Sequence, residues 1–224
     1  MIEQVSVDTL LLRLADRIDP ALPARLASIC DLLETDGDTW LVDLVPSYTT
    51  LLVTWDPLQT DYQAVRNRVM NCLSESAGRT KETVSRLHRI PVWYSTDSGP
   101  DLEVVADHAG LTVDEVIRIH SETRYQVYAL GFAPGFAFLG ETDERIAMPR
   151  KQTPRTRVPA GSVAIANRQT AIYPLESPGG WQLIGLSPVR LFDPQDLSLL
   201  KTGDAVQFYP ISESDYREMA GGTS

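Results

Sequence analysis

The sequence predicts two domains: an α+β domain at residues 1–94, of the ferredoxin-like split βαβ kind, and a mainly β domain at residues 101–219. Three observations predict this. Strand-like and helix-like runs alternate as β-α-β-β-α-β up to residue 94. The segment Ser95-Thr96-Asp97-Ser98-Gly99-Pro100 has the polar, turn-forming composition of a linker. Beyond it, short β-type runs at 162–166 and 181–185 alternate with turns rich in Gly and Pro, the pattern of a closed or sandwiched β-structure.

Each element has its own signal. Residues 6–14 (SVDTLLLRL) begin with alternation and read as a strand. Asp19-Pro20 offers an N-cap and a proline at the first helical position. Leu22, Leu26, Ile29, Cys30 and Leu33 then recur at helical spacing, and Asp36-Gly37 stops the helix. Residues 40–45 and 49–55 form a hairpin across Pro46-Ser47, and Asp61 caps a helix whose Tyr62, Val65, Val69, Cys72 and Leu73 share a face. Residues 82–94 read as a closing strand, with Pro91 implying an edge position or a bulge. After the linker, residues 101–108 form a helix ended by Gly110. Thr112-Val113-Asp114-Glu115 is a capping box opening a second helix, which places His120 on one face with Val113, Val116 and Ile117. Residues 125–130 and 205–209 read as strands, and the last residues, 220–224, as disordered.

Composition narrows the function. A net charge of -10 argues against nucleic-acid binding, which needs a basic surface. Apolar runs fall short of a membrane span, and no signal peptide is visible. Two cysteines, Cys30 and Cys72, on apolar helix sides fit buried thiols in a reducing compartment. With three histidines and no CxxC, HExxH or GxxxxGK[ST], neither a zinc site nor a P-loop is expected.

Chemistry is expected between His120 and Asp193. His120 has two readings, a proton-transfer group near neutral pKa or a core histidine. Phe132, Pro134, Gly135 and Phe136 can wall a cleft or fill a turn. Arg150, Arg155 and Arg157 would attract anions in an acidic chain, with Arg155, set between Pro154 and Pro159, favoured for holding a carboxylate or phosphate. Gly161, Ser162 and Gln169 can present polar groups to a substrate. In 176–181, Glu176 is a candidate general base, and Pro178, Gly179, Gly180 and Trp181, with Tyr173 nearby, can form an anion nest and an aromatic wall. Ser177 lacks an adjacent base, so no Ser-His-Asp triad is supported.

These motifs (GFAPGFAFLG, the two PR pairs at 149–150 and 154–155, VPAGSVAIA and IYPLESPGGWQLIG) resemble the PxpB/KipI family. The family is similar to allophanate hydrolase subunit 1 and to half of the urea carboxylase carboxyltransferase domain. The chain departs from the usual motifs at Phe138, where Tyr is common, at 185–188, which lacks an arginine at Leu186, and at 167–170, which carries Arg168. The resemblance implies that the β domain is a cyclophilin-like barrel. It further implies a cytoplasmic component of a heteromeric 5-oxoprolinase, inactive alone, acting with sibling C and A subunits to open a lactam, with ATP as co-substrate of the complex and no metal in this chain. The candidate catalytic residues are His120, Arg155 and Glu176. Substrate contacts would come from Phe132, Pro134, Gly135, Arg150, Gly161, Ser162, Gln169, Tyr173, Pro178, Gly179 and Trp181. Two other readings stand beside it: an inhibitor of a sensor histidine kinase, and a component of an allophanate hydrolase or urea carboxylase-type carboxyltransferase.

Overall fold

The computed structural model describes residues 1–19, 21–36, 39–78 and 86–221. The chain divides into two units, Met1–Ser85 and Arg86–Ser224, built mostly from antiparallel β-sheet with few helices. The expectations that rested on Pro20, Gly37, residues 82–85 and residues 222–224 lie outside the described residues.

The first unit runs β1 (Ile2–Ser6), β2 (Thr9–Arg13), α1 (Leu22–Asp36), β3 (Leu41–Ser47), β4 (Thr50–Trp55) and α2 (Tyr62–Gly78). Its antiparallel strands lie in the order β1-β2-β4-β3. Alternation places Leu10 and Leu12 of β2, and Leu51, Val53 and Trp55 of β4, on one buried face. Leu26, Ile29 and Leu33 of α1 and Val65, Val69 and Cys72 of α2 pack in the same core. The Asp61 carboxylate accepts the Ala64 N–H at 2.8 Å, the cap that the sequence predicts for α2.

Two expectations change here. The strand predicted at 6–14 is found as β2, and a turn at Asp8 pairs it with an additional strand, β1; the Asp8 carboxylate engages the Ser6 and Thr9 hydroxyls. In a split βαβ sheet the strand following the second helix lies beside the first strand, and β1 takes that place. The strand predicted to close this unit, β5 (Leu87–Val92), belongs to the second unit, where it pairs in parallel with β15 (Ala205–Pro210), from Ala205↔Leu87 to Pro210↔Val92. The boundary expected at 95–100 therefore falls earlier, between Ser85 and Arg86.

The second unit continues with α3 (Leu102–Ala109), α4 (Val113–Glu122), β6 (Arg124–Leu130), β7 (Ala137–Gly140), a 3-10 turn at Glu144–Ile146, β8 (Arg155–Val158), β9 (Ser162–Ala166), β10 (Gln169–Ile172), β11 (Ser177–Gly179), β12 (Gln182–Leu186), β13 (Phe192–Asp193) and β14 (Leu197–Ser198); α5 (Glu213–Gly221) follows β15. Neighbouring strands run β5-β15-β6-β7-β10-β9-β12. Reciprocal bonds between Trp93 and Leu186, Trp93 N–H to Leu186 O at 2.8 Å and Leu186 N–H to Trp93 O at 3.0 Å, join β12 back to the end of β5. This one bridge brings the two ends of that strand path together at Trp93 and Leu186. Two small ribbons, β8 with β11 and β13 with β14, stand off the path. α4 opens on the capping box at Thr112 and Glu115, and α3 ends at Gly110.

The 95–100 segment is not a linker. The Ser98 hydroxyl donates to Trp93 O at 2.6 Å, and the Asp101 amide bonds Leu183 O at 2.9 Å, which ties the segment to β12. Its serines serve turn hydrogen bonds rather than solvent, so composition alone misleads.

Candidate functional site

Besides the larger core of the second unit there is another apolar cluster, made of Phe136, Val158, Ala164, Ala166, Ala171, Tyr173, Trp181 and Leu183. Phe136 is its hub, in edge-on contact with Phe132, Phe138, Tyr173 and Trp181 at ring separations of 5.2, 4.9, 5.4 and 5.9 Å. Such edge-to-face pairs fix ring orientation as well as burying area. Above these rings opens a cleft of ≈ 120 Å³ lined by Phe132, Phe136, Phe138, Arg150, Tyr173, Pro178, Gly179, Gly180 and Trp181.

β7 supplies Phe138, the turn before it Phe132 and Phe136, and β11 with the following turn supplies 178–181. Gly179 is required by close approach, since a Cβ there would overlap the Tyr173 hydroxyl. The buried Tyr173 phenol is held protonated: burial pushes its pKa up, while a bond from the Trp181 backbone and the charges of Arg150 and Arg155 pull the other way. Arg150 is exposed, with its guanidinium carbon 5.7 Å from the Trp181 ring centre, within cation–π range. A second, open trough of ≈ 480 Å³ shares Phe132 and is lined also by Leu130, Pro134, Gly135, Phe192 and Leu197. Gly135, at φ 80°, lets the turn pass Phe192, whose Cβ would lie 2.8 Å from an added Cβ. Phe132 (φ 74°) and Leu197 (φ 61°) are exposed apolar residues in left-handed backbone, a costly conformation for such side chains.

The structure brings Phe132, Arg150, Tyr173, Pro178, Gly179 and Trp181 together in the cleft, and Pro134 and Gly135 beside it. The other expected residues sit elsewhere. His120, near the end of α4, is fully buried and stacked on Phe208 at 4.6 Å. The Thr170 hydroxyl donates to Ala164 O at 3.0 Å, so at 2.9 Å it accepts the His120 Nε2–H. Nδ1 is then the acceptor of the Tyr94 O–H at 2.7 Å. Burial pushes the ring pKa down to about 3, which keeps it neutral. Of the two readings, the core histidine is the one the geometry supports, because both ring nitrogens are engaged and no solvent reaches them.

Arg155 is engaged through one terminal nitrogen, while its Nη1 is buried with no partner among the described residues. Its Nη2 donates to Asp101 Oδ1 at 2.8 Å, as does Lys151 Nζ at 2.8 Å, while Oδ2 accepts the Leu183 N–H at 2.7 Å. Burial acts to raise the Asp101 pKa, and the bonds from Arg155, Lys151 and Leu183 outweigh it and hold the carboxyl below its ordinary value. Asp101 is the hub that sequence reasoning missed. Its place at the start of a helix reads as a first-turn acid, and only the fold brings residues 151, 155 and 183 to it. Glu176 forms a two-bond fork with Arg157 at 3.0 and 2.9 Å, on the surface. Gly161 is a strand-crossing turn, its N–H bonded to Tyr173 O at 2.7 Å and its carbonyl to the Ser187 N–H at 2.8 Å. Ser162 is buried in the β9 ladder, and Gln169 pairs with Ala166 and Gly140 at the start of β10. None of the three lines the cleft.

Among the described residues no group of three or more His, Cys, Asp or Glu is placed to hold a metal ion, and no helix is long and apolar enough to cross a membrane. ATP does not fit the cleft: sites for drug-sized ligands occupy about 300–1,000 Å³, against ≈ 120 Å³ here.

The carboxyltransferase domain, subdomain C and D, matches residues 1–199. The chain is 40% identical to the B subunit of 5-oxoprolinase from Bacillus subtilis (strain 168) over 96% of this chain and 94% of that one. It is 50% identical to the B subunit of 5-oxoprolinase from Escherichia coli O157:H7 over 59% of this chain and 62% of that one. A crystal structure of the protein TTHA0988 superposes with a TM-score of 0.80 and 38% identity, covering 92% of this chain but 40% of that one. This chain belongs to the carboxyltransferase subdomain C and D family.

Proposed function

From that membership we propose that the chain is the B subunit of an ATP-dependent 5-oxoprolinase, working with sibling C and A subunits in the cytoplasm. The observation that carries this reading is the near end-to-end likeness to the B subunit of the Bacillus subtilis enzyme, 40% identical over 96% of the chain. The proposed reaction opens the lactam of 5-oxo-L-proline to L-glutamate, coupled to ATP hydrolysis. Lactam resonance makes the carbonyl a poor electrophile, so phosphorylation of its oxygen is the activating step that lets water open the ring. The aromatic cleft of this chain is the part assigned to the small substrate. Its size leaves ATP to be held elsewhere, with a partner completing the site and excluding water. We read the first unit as ferredoxin-like with β1 in place of the closing strand, and the second as a cyclophilin-like barrel; the strand orders and the Trp93–Leu186 bridge support these readings.

The test is to assay the purified chain alone and then with candidate C and A subunits for 5-oxoproline-dependent release of phosphate and glutamate. Activity is expected from the full set and not from the chain alone. Full activity from the isolated chain would overturn the shared-site reading. An inert full set would overturn the enzyme-subunit reading; inhibition of a sensor kinase, or carboxyl transfer with a biotin-carrying partner, would then replace it.

A further inference from the structure

The arginines and lysine around the cleft differ in what neutralises them. Lys151 and Arg155 share Asp101, Arg157 is forked with Glu176, and Arg168 meets Glu141 at 2.7 Å and Glu144 at 2.9 Å. Arg150 lines the cleft with no carboxylate partner among the described residues, held only against the Trp181 face. In a chain of net charge -10, a guanidinium left without an acid at the mouth of a cleft is an uncommitted anion receptor.

Tyr173 is the second uncommitted group. Its hydroxyl lies at the floor of the cleft beneath Gly179, and its O–H has no acceptor among the described residues. A phenol that opens onto a cleft can donate to a ligand oxygen in place of water. The space available to a ligand is ≈ 120 Å³, walled by Phe132, Phe136, Phe138 and Trp181, which suits a small ring rather than a chain or a nucleotide.

Resting on the 5-oxoprolinase reading, we infer that the cleft is a receptor for a small cyclic amide carrying a carboxylate. Arg150 grips the carboxylate, Tyr173 donates to the ring carbonyl oxygen, and the aromatic walls hold the ring. Arg150 is then the residue that selects a carboxylated lactam over the bare ring.

The experiment uses the assembled complex with Arg150→Gln, Arg150→Lys and Tyr173→Phe, assayed with 5-oxo-L-proline and with 2-pyrrolidinone, which lacks the carboxylate. Arg150→Gln is expected to raise KM for 5-oxoproline about tenfold or more, leave kcat nearly unchanged, and erase most of the preference over 2-pyrrolidinone. Arg150→Lys recovers part of that loss. Tyr173→Phe raises KM for both compounds by a similar, smaller factor of about two to ten. An Arg150→Gln complex with KM within twofold of wild type and its preference intact would overturn the site while leaving the 5-oxoprolinase reading standing. If the wild-type complex turns over no 5-oxoproline, the functional reading fails. Tryptophan fluorescence of the chain titrated with each compound then decides the site alone: a response to 5-oxoproline, absent with 2-pyrrolidinone and lost in Arg150→Gln, keeps it, and equal or no responses reject it.

Discussion

Around His120 and around Trp181 the C-terminal unit places polar groups among aromatic rings, but it completes them differently. At His120 a single relay, Tyr94 O–H to Nδ1, Nε2–H to Thr170 and the Thr170 O–H to Ala164 O, uses every hydrogen-bonding capacity of the ring. At Trp181 the relay is open: Arg150 lacks an acid and the Tyr173 O–H lacks an acceptor among the described residues. Binding is to be sought at the second place and not the first. Satisfied buried groups specify a packed interior, whereas capacity left unused at a cleft has its natural complement in a ligand. Asp101 belongs with His120 on the satisfied side.

The largest effect is expected from Asp101→Ala. Removing the carboxylate strands Arg155, Lys151 and the Leu183 N–H together, so unfolding by urea should show a loss of about 3–5 kcal/mol. A loss below about 1 kcal/mol would mean that the network is ornamental and that Arg155 is available for substrate after all.

Next in size is His120→Leu, which leaves the Tyr94 hydroxyl buried without its acceptor and removes the stack on Phe208. We expect a stability loss of about 2–3 kcal/mol, with turnover of the intact complex within a few fold of wild type. Loss of turnover without loss of stability would return His120 to the catalytic role. His120 and Asp101, both satisfied, differ in their response to pH. The His120 pKa falls from about 6.5 unfolded to about 3 folded, so the unfolded state binds more protons in between. Stability from this site is full above about pH 6.5 and drains away as pH falls toward about 3. Asp101, whose pKa is depressed in the folded state, adds its own loss only once pH falls below about 4, the ordinary carboxylate range. His120→Gln should flatten the stability curve between about pH 4 and 6. An unchanged slope there would show that the ring is not held neutral.

Much of this was legible in residues and some was not. The capping box at Thr112 and Glu115 placed His120 on the packed face of α4, and the Gly-Phe and Pro-Gly-Gly-Trp turns placed the cleft. What sequence could not sort was which arginine was spoken for. Arg150 and Arg155 look alike in a PR-rich stretch, and only the arrival of Asp101 from 54 residues away commits one of them. The same limit hid the partner of β5. β5 follows α2 as a split βαβ strand should, yet its partner β15 lies more than a hundred residues later in the chain, a pairing no local pattern records.

The smallest expected effect is at Glu176, an informative case because this residue is satisfied yet exposed. Its carboxylate is forked to Arg157, with side-chain exposures of 52% and 77%, so water screens both charges and competes for every bond. Exposed pairs of this kind contribute about 0.2–1 kcal/mol. Glu176→Gln keeps the side chain's length and one acceptor oxygen, so stability should change by no more than about 0.5 kcal/mol. Turnover of the assembled complex should stay within about twofold, since the residue lies outside the cleft lining. A general base in the reaction would behave otherwise: its loss typically costs about 10²–10⁴-fold in rate. Urea melts and steady-state rates on this one variant therefore separate the two roles. A fall in kcat of more than tenfold with stability unchanged would place chemistry at Glu176 and undo the rule that satisfied groups build while unsatisfied ones bind.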